Sequence, residues 1–173
     1  MMFSRRSVPL ALCAISAVLL AGCGQPAGPS RDAVRSGDIV AAIRAAGQQD
    51  DSSIHVTPLR SPEVERLSAQ AQREDNAGRY QAAADTLDKA LKLASDAPDL
   101  LQDRAEVAIR LGHYEQAEQL ARKSWSEGAK LGGLCARNWK TVLEMRRIAQ
   151  DDAGVEQARE AMGKCEKSGP VRL

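Results

Sequence analysis

The feature that most constrains the fold is a short segment that recurs 34 residues later in the chain. Residues 78–83 read GRYQAA, and residues 112–117 read GHYEQA. The same spacing relates further residues on both sides: Leu67 and Leu101, Ala71 and Ala105, Lys89 and Lys123. A fixed period of about 34 residues is typical of repeats in which each copy is one supersecondary unit. Each copy predicts a helix, a glycine turn and a second helix, and together they predict an all-α stack of hairpins.

This unit resembles the tetratricopeptide repeat, a helical hairpin that stacks into a short α-solenoid with a concave face. The first unit covers about residues 64–97 and turns at Gly78; the second covers about 98–131 and turns at Gly112. Ala83 and Ala117 match the small residues at which the family packs its two helices closely. The family's usual tryptophan, leucine-glycine and terminal proline positions are mostly absent.

A third, degenerate unit is predicted over about residues 134–166. Matching Ala158 to Ala83 and Ala117 requires about seven extra residues in the preceding connection, as expected of an atypical terminal repeat. Trp125 and Trp139 are interpreted as core residues at the joint between units. The repeat domain is therefore predicted to span residues 61–168, with a tail at 169–173.

The N-terminal residues have the pattern of a secretory signal peptide. Arg5 and Arg6 precede an apolar run over residues 8–20. That run is shorter than the stretch of about 20 residues that spans a bilayer. Residues 1–22 are therefore predicted to be a leader rather than a membrane-spanning helix.

The end of this leader, Leu20-Ala21-Gly22-Cys23, resembles the bacterial lipobox. In lipoproteins the cysteine thiol receives diacylglycerol, and cleavage and further acylation (palmitate) leave it as the lipidated first residue. The resemblance implies a lipid anchor on Cys23. Because Gly24 stands where aspartate is associated with inner-membrane retention, it also implies an outer-membrane lipoprotein that faces the periplasm. An ordinary signal peptide with an incidental cysteine is the alternative.

Residues 23–60 are predicted to hold the lipidated cysteine, a flexible tether and one short helix. Residues 24–30 contain two prolines and no apolar period. Residues 36–47 predict a helix, because Ile39, Val40 and Ile43 share one face. That face is narrow, so the helix either docks on the first hairpin or frays.

Composition and motifs argue against catalysis. The chain has 24 basic and 23 acidic residues, so no strong net charge points to nucleic acid. His55 and His113 have no carboxylate or cysteine at ligand spacing, and no metal-binding, phosphate-binding or nucleophile motif is present. The sequence predicts no enzyme activity, no cofactor, no metal, no nucleic acid partner and no small-molecule substrate.

Cys135 and Cys165 are the thiols that remain once Cys13 is removed with the leader and Cys23 is lipidated. In an antiparallel hairpin the start of the first helix lies beside the end of the second. A disulfide is therefore expected in an oxidising compartment. Two buried apolar cysteines are the alternative.

The family resemblance implies that the first helices of successive units line a partner-binding groove. Its predicted members run from acidic to basic along the stack: Glu65, Gln72, Asp99, Gln102, Glu106, Ile109, Arg110, Lys140, Leu143 and Arg147. Ile109 and Leu143 are the predicted apolar anchors. Ser68 and Gln72 stand where some family members carry a clamp for a C-terminal carboxylate, which disfavours that mode.

The resulting hypothesis is a non-catalytic adaptor that binds a protein or peptide of the bacterial envelope and supports assembly of an envelope complex. One alternative is a pilotin-like accessory lipoprotein of a pilus or secretion system. A second is a role in outer-membrane protein insertion or envelope quality control. A third is a regulatory subunit of an envelope enzyme.

Overall fold

The computed structural model describes residues 31–48 and 60–165, with side chains from Arg35 onward in the first range. These residues form helices and connections, with no strand among them. The helices are α1 Arg31–Gln48, α2 Pro62–Asn76, α3 Tyr80–Leu93, α4 Pro98–Arg110, α5 Tyr114–Glu127, α6 Gly133–Ile148 and α7 Asp152–Gly163. Helices α2 and α3, α4 and α5, and α6 and α7 pack as three consecutive hairpins. The predicted all-α stack of hairpins is confirmed.

Local sequence signals set the helix ends. The Ser61 hydroxyl accepts a hydrogen bond from the Val64 amide at 3.4 Å, and Pro62 fills the first helical position of α2, where no backbone donor is missed. The two repeat glycines turn the first two hairpins with φ of +72° at Gly78 and +77° at Gly112. An L side chain is strained in that region, so both turns favour glycine.

Helix α4 is the centre of the molecule. Nine of its 13 residues are buried, and it contributes to all three apolar clusters of the described chain. Small side chains let its neighbours approach closely: Ala71, Ala83, Ala105, Ala117 and Ala121 are all buried. Gln102, Arg104 and Glu106 are buried on the same helix. Buried polar groups usually have partners. Glu106 and Gln102 Nε2 are hydrogen-bonded, and Arg104 pairs with Asp88 of α3, whereas Gln102 Oε1 and Arg104 Nη1 have no hydrogen-bond partner among the described residues.

Helix α1 is longer than predicted and lies elsewhere than expected. It packs on α6 and α4, which belong to the third and second hairpins, rather than on the first hairpin. Val40 and Ile43 are buried in a cluster with Ile109 and Met145. The expectation that this helix docks on the first hairpin or frays is therefore wrong. Its apolar face is narrow, but Val40 and Ile43 on that face are completely buried.

The α1–α6 contact is close because both helices have glycine where they meet. A Cβ added to Gly133 would lie 2.3 Å from the carbonyl oxygen of Gly47. A Cβ added to Gly47 would lie 2.6 Å from Cγ of Arg137 and 3.1 Å from the carbonyl oxygen of Gly133. A Cβ at position 47 would mainly displace a flexible side chain, whereas a Cβ at position 133 would collide with backbone atoms. Glycine is therefore required more strictly at position 133.

The third hairpin carries a covalent link. Cys135 at the start of α6 and Cys165 after the end of α7 form a disulfide with a Cα–Cα distance of 5.6 Å. The Gly132 amide also donates to the Cys165 carbonyl at 2.8 Å. The joint with the second hairpin contains the Trp125 and Trp139 rings, which pack edge to face with centroids 5.2 Å apart. The disulfide therefore links the two ends of the third hairpin, and the tryptophan contact joins this hairpin to the second.

Replacing both Cys135 and Cys165 by alanine should lower the free energy of unfolding. The disulfide closes a loop with a sequence separation of 30. The chain-entropy model assigns such a loop about 3–4 kcal/mol. Urea unfolding of oxidised wild type, reduced wild type and the double variant measures this, and the reductant should leave the double variant unchanged. Two free thiols in the oxidised, denatured wild type would contradict the link.

Candidate functional site

The concave face of the hairpin stack is partly occupied by α1. Ile109, predicted as an open apolar anchor, is buried in the cluster that includes Val40 and Ile43 of α1. Leu143, the other predicted anchor, is buried in a cluster built from α4, α5, α6 and α7. The expectation that these two side chains stand open to a partner is wrong for this arrangement, because α1 covers one and the hairpin core takes the other.

A buried carboxylate lies where α1, α4 and α6 meet. The side chain of Glu106 is fully buried. It accepts hydrogen bonds from Arg44 Nε at 2.7 Å, from Arg137 Nη2 at 2.6 Å and Nε at 3.0 Å, and from Gln102 Nε2 at 3.1 Å. Gln102 Nε2 also donates to Thr141 Oγ1 at 2.9 Å. Glu106 therefore joins three helices through charge-assisted hydrogen bonds.

The two arginines extend this network to other acidic side chains. Arg44 Nη2 donates to Asp75 Oδ2 on α2 at 2.8 Å, and Arg137 Nη2 donates to Asp103 Oδ1 on α4 at 2.9 Å. Burial lowers the pKa of Arg44, but the attraction of Glu106 and the hydrogen bonds to Asp75 and Glu106 outweigh this and raise it. The same balance raises the pKa of Arg137. Both guanidinium groups stay cationic.

Beside this network the concave face remains open as a cleft of about 710 Å³. It lies between the C-terminal end of α1, helix α2, the groove side of α4 and the start of α6. Its charged lining comprises Arg44, Asp75, Asp99, Asp103 and Arg137, and its apolar lining includes Ala71, Leu87, Pro98, Val107 and Leu134. The cleft thus combines an apolar floor with charged groups of both signs, as binding pockets commonly do.

Two aspartates of α4 are the most accessible acidic groups of the cleft. The side chains of Asp99 and Asp103 are 38% and 42% exposed. They lie four residues apart and so share one face of the helix. Loss of hydration on burial against neighbouring groups raises the pKa of Asp103, while the positive charge of Arg137 acts in the opposite direction.

Apart from the buried Ile109 and Leu143, the predicted groove residues divide into three groups in the structure. Gln72 and Asp99 line the cleft. Gln102, Glu106 and Arg110 lie beneath or beside it, where Arg110 Nε approaches Asp75 Oδ1 at 3.9 Å. Glu65 is exposed on α2 outside the cleft lining, and Lys140 and Arg147 both pair with Glu144 on their own helix. The predicted basic end of the groove is therefore not part of the cleft.

The groove predicted from the sequence does not include the charged cleft residues Arg44, Asp103 and Arg137. Asp103 could have been found, because it lies one helical turn beyond Asp99. Arg44 could not have been found, because its role depends on where α1 docks.

Across residues 31–48 and 60–165, no group of three metal-ligating side chains occurs and no helix is both long and apolar enough to cross a membrane.

Comparison with known proteins agrees with this architecture. The tetratricopeptide repeat family is matched over residues 76–130, from the end of α2 through α5. The hairpins are tetratricopeptide-like. Among solved structures, the globular C-terminal domain of P. aeruginosa LpoP superposes with a TM-score of 0.56 at 28% sequence identity. That match covers 61% of this chain and 99% of the LpoP domain. No curated protein matches the chain.

Proposed function

We propose that this chain is a non-catalytic adaptor, anchored by lipid to the outer membrane, that binds a protein of the bacterial envelope through the cleft. The observation that carries the proposal is the cleft itself, on the concave side of the tetratricopeptide-like hairpins, beside the self-docked helix α1. Its acidic and basic groups are hydrogen-bonded to one another, and its lining contains no nucleophile paired with a base. Such a lining suits recognition rather than chemistry.

The likeness to the globular C-terminal domain of LpoP supports the proposed order of leader, tether and folded domain. It matches 61% of this chain, which leaves room for a leader and a tether before the folded part. Helix α1 begins at Arg31, so with Cys23 as the anchor only residues 24–30 separate lipid from helix. Seven residues span at most about 25 Å when extended. The proposal therefore keeps the N-terminal end of α1 within about 25 Å of the membrane surface, with the cleft at the other end of that helix.

Site-specific photo-crosslinking in cells tests the binding proposal. A photoreactive amino acid at Ser68 or Gln72, both in the cleft lining, should capture one protein that mass spectrometry identifies as an envelope component. The matched control is Gln157, an exposed glutamine on α7 outside the lining. Equal capture from Gln157, or capture of a cytoplasmic protein, would count against the proposal.

Replacing Cys23 by serine should abolish lipid attachment and leave uncleaved precursor. Only a cysteine at that position supplies the thiol that the lipobox resemblance requires. Cell fractionation and mass spectrometry of the N-terminal peptide measure this. Cys13→Ser, the same substitution inside the leader, should leave processing and membrane recovery unchanged. Normal processing of the Cys23 variant would refute the anchor.

A further inference from the structure

The groove side of α4 carries three carboxylates, and each of them pairs with at least one arginine from another part of the chain. Arg60, just before α2, pairs with Asp99. Arg137 of α6 pairs with Asp103 and Glu106, and Arg44 of α1 pairs with Glu106. Guanidinium groups match carboxylates in geometry and hold their charge when partly buried. The chain's own contacts therefore show that this face binds arginine side chains.

Helix α1 is an internal example of such a ligand. It presents two apolar residues, Val40 and Ile43, to the concave face and places the neighbouring Arg44 between Asp75 and Glu106. Apolar burial anchors the helix, and the guanidinium bridges carboxylates from two other helices. The open cleft continues from Arg44 along α2 and α4, so it begins where this internal ligand ends.

The acidic groups of the open cleft retain unused acceptor capacity. Among the described residues, Asp99 and Asp103 each accept through Oδ1 alone. Asp75, whose side chain is 6% exposed, accepts through Oδ2, and its buried Oδ1 faces Arg110 Nε at 3.9 Å. An ionised carboxylate can accept from a guanidinium through both oxygens. Asp99 and Asp103 thus each keep one carboxylate oxygen that can accept from a ligand.

The two arginines of the cleft each use two of their three guanidinium nitrogens in internal hydrogen bonds. Arg44 engages Nε with Glu106 and Nη2 with Asp75. Arg137 engages Nε with Glu106 and Nη2 with both Glu106 and Asp103. An incoming carboxylate would have to compete with these internal acceptors and would meet Asp99 and Asp103 at the same time. Charge complementarity therefore favours a cationic occupant.

We propose that the cleft receives an apolar segment of a protein partner that carries an arginine, with its guanidinium between Asp99 and Asp103 and its apolar side chains against Pro98 and Leu134, the half-buried apolar residues of the lining. This inference rests on the proposed adaptor function and names the chemistry that its cleft recognises. The volume of about 710 Å³ accommodates a few side chains rather than a whole helix. The partner therefore inserts a short segment and contacts the rest of the surface from outside.

The test compares three labelled peptides that differ at one position. Each is a short peptide of leucine, alanine and glutamine, with a central arginine, citrulline or glutamate. Citrulline keeps the shape of arginine and removes its charge. In fluorescence anisotropy titrations with the full-length chain, the arginine peptide should bind at least about tenfold more tightly than the citrulline peptide, as one charge-assisted pair implies. Equal affinity of these two, or preference for glutamate, overturns the inference.

Substitution in the protein gives the reciprocal test. Asp99→Asn with Asp103→Asn should reduce arginine-peptide binding to the citrulline level while citrulline-peptide binding stays the same. The control pair Asp85→Asn with Asp96→Asn removes the same charge from exposed residues outside the cleft lining and should change neither. Circular dichroism verifies the fold of both variants. Undiminished arginine preference in the first pair overturns the inference.

Two further results separate this inference from the proposed function. If Ser68 and Gln72 crosslink to an envelope protein but arginine and citrulline peptides bind alike, the adaptor function stands and the arginine preference is lost. Light scattering decides whether a second copy is the occupant instead. A concentration-dependent dimer that the Asp99 and Asp103 variant abolishes would overturn the assignment to a separate partner.

Discussion

Replacing Glu106 by alanine is expected to lower the free energy of unfolding by about 2–4 kcal/mol, near the cost of breaking a buried ion pair. Its carboxylate is fully buried and accepts from Arg44, Arg137 and Gln102. Removing it leaves donors without an acceptor and opens a void among α1, α4 and α6. The loss stays below the largest such values because Arg44 keeps Asp75 and Arg137 keeps Asp103.

Urea unfolding followed by circular dichroism measures the effect of the Glu106 change, with Asp103→Ala as the matched control. Asp103 is also an acidic residue of α4 bonded to Arg137, but its side chain is 42% exposed. An exposed ion pair contributes only about 0–1 kcal/mol, so this control should lose little stability. Equal losses for the two variants would show that the buried network is not the main contributor.

The fold could be predicted because it follows from patterns formed by residues that are close together in the sequence. The 34-residue register fixes the positions of Gly78 and Gly112, and both adopt the left-handed turn conformation that the pattern requires. Alanines at the repeat positions are buried where helices pack closely. These signals depend on neighbouring residues in the chain, so a single sequence is enough to read them. The first two hairpins follow from them, whereas the third is degenerate and matches the repeat only at Ala158, after about seven extra residues.

The candidate site could be predicted only in part, because it depends on a docking event between distant segments. The groove positions of α2 and α4 follow from the repeat register, and Gln72 and Asp99 do line the cleft. The position of α1 does not follow from any repeat. Its docking places Arg44 beside residues 31 and 62 positions away, at Asp75 and Glu106. It also covers Ile109, so Ile109→Asp would disrupt the core rather than report on partner binding.

The place of α1 matters for function because it forms one wall of the cleft. Arg44, Gly47 and Gln48 all belong to the lining. A partner that enters the cleft therefore contacts the helix that leads back toward the proposed membrane anchor, as well as the hairpins. Any change that releases α1 should alter the cleft without unfolding the three hairpins, whose own apolar clusters lie largely elsewhere.

Replacing Gly133 by alanine should release α1 from α6. The added Cβ would lie 2.3 Å from the Gly47 carbonyl oxygen, and neither backbone can move without shifting its helix. Overpacking of this kind costs about 1–3 kcal/mol, which would weaken the docking of α1 on α6. Hydrogen–deuterium exchange measured peptide by peptide should show faster exchange across α1, with α2 and α3 unchanged because their apolar cluster contains no α1 residue. The arginine peptide should also bind differently, because Arg44 and Gln48 leave the cleft wall with α1.

The control for this experiment is Gly163→Ala, the same substitution at the end of α7. A Cβ at Gly163 meets nothing within 4 Å, so the change adds no clash. Because alanine is the better helix former, stability should stay the same or rise by up to about 1 kcal/mol. Unchanged exchange of α1 in the Gly133 variant would mean that the glycine contact does not hold α1 in place. In that case the burial of Val40 and Ile43 against Ile109, together with the ion pairs of Arg44, would have to suffice on their own.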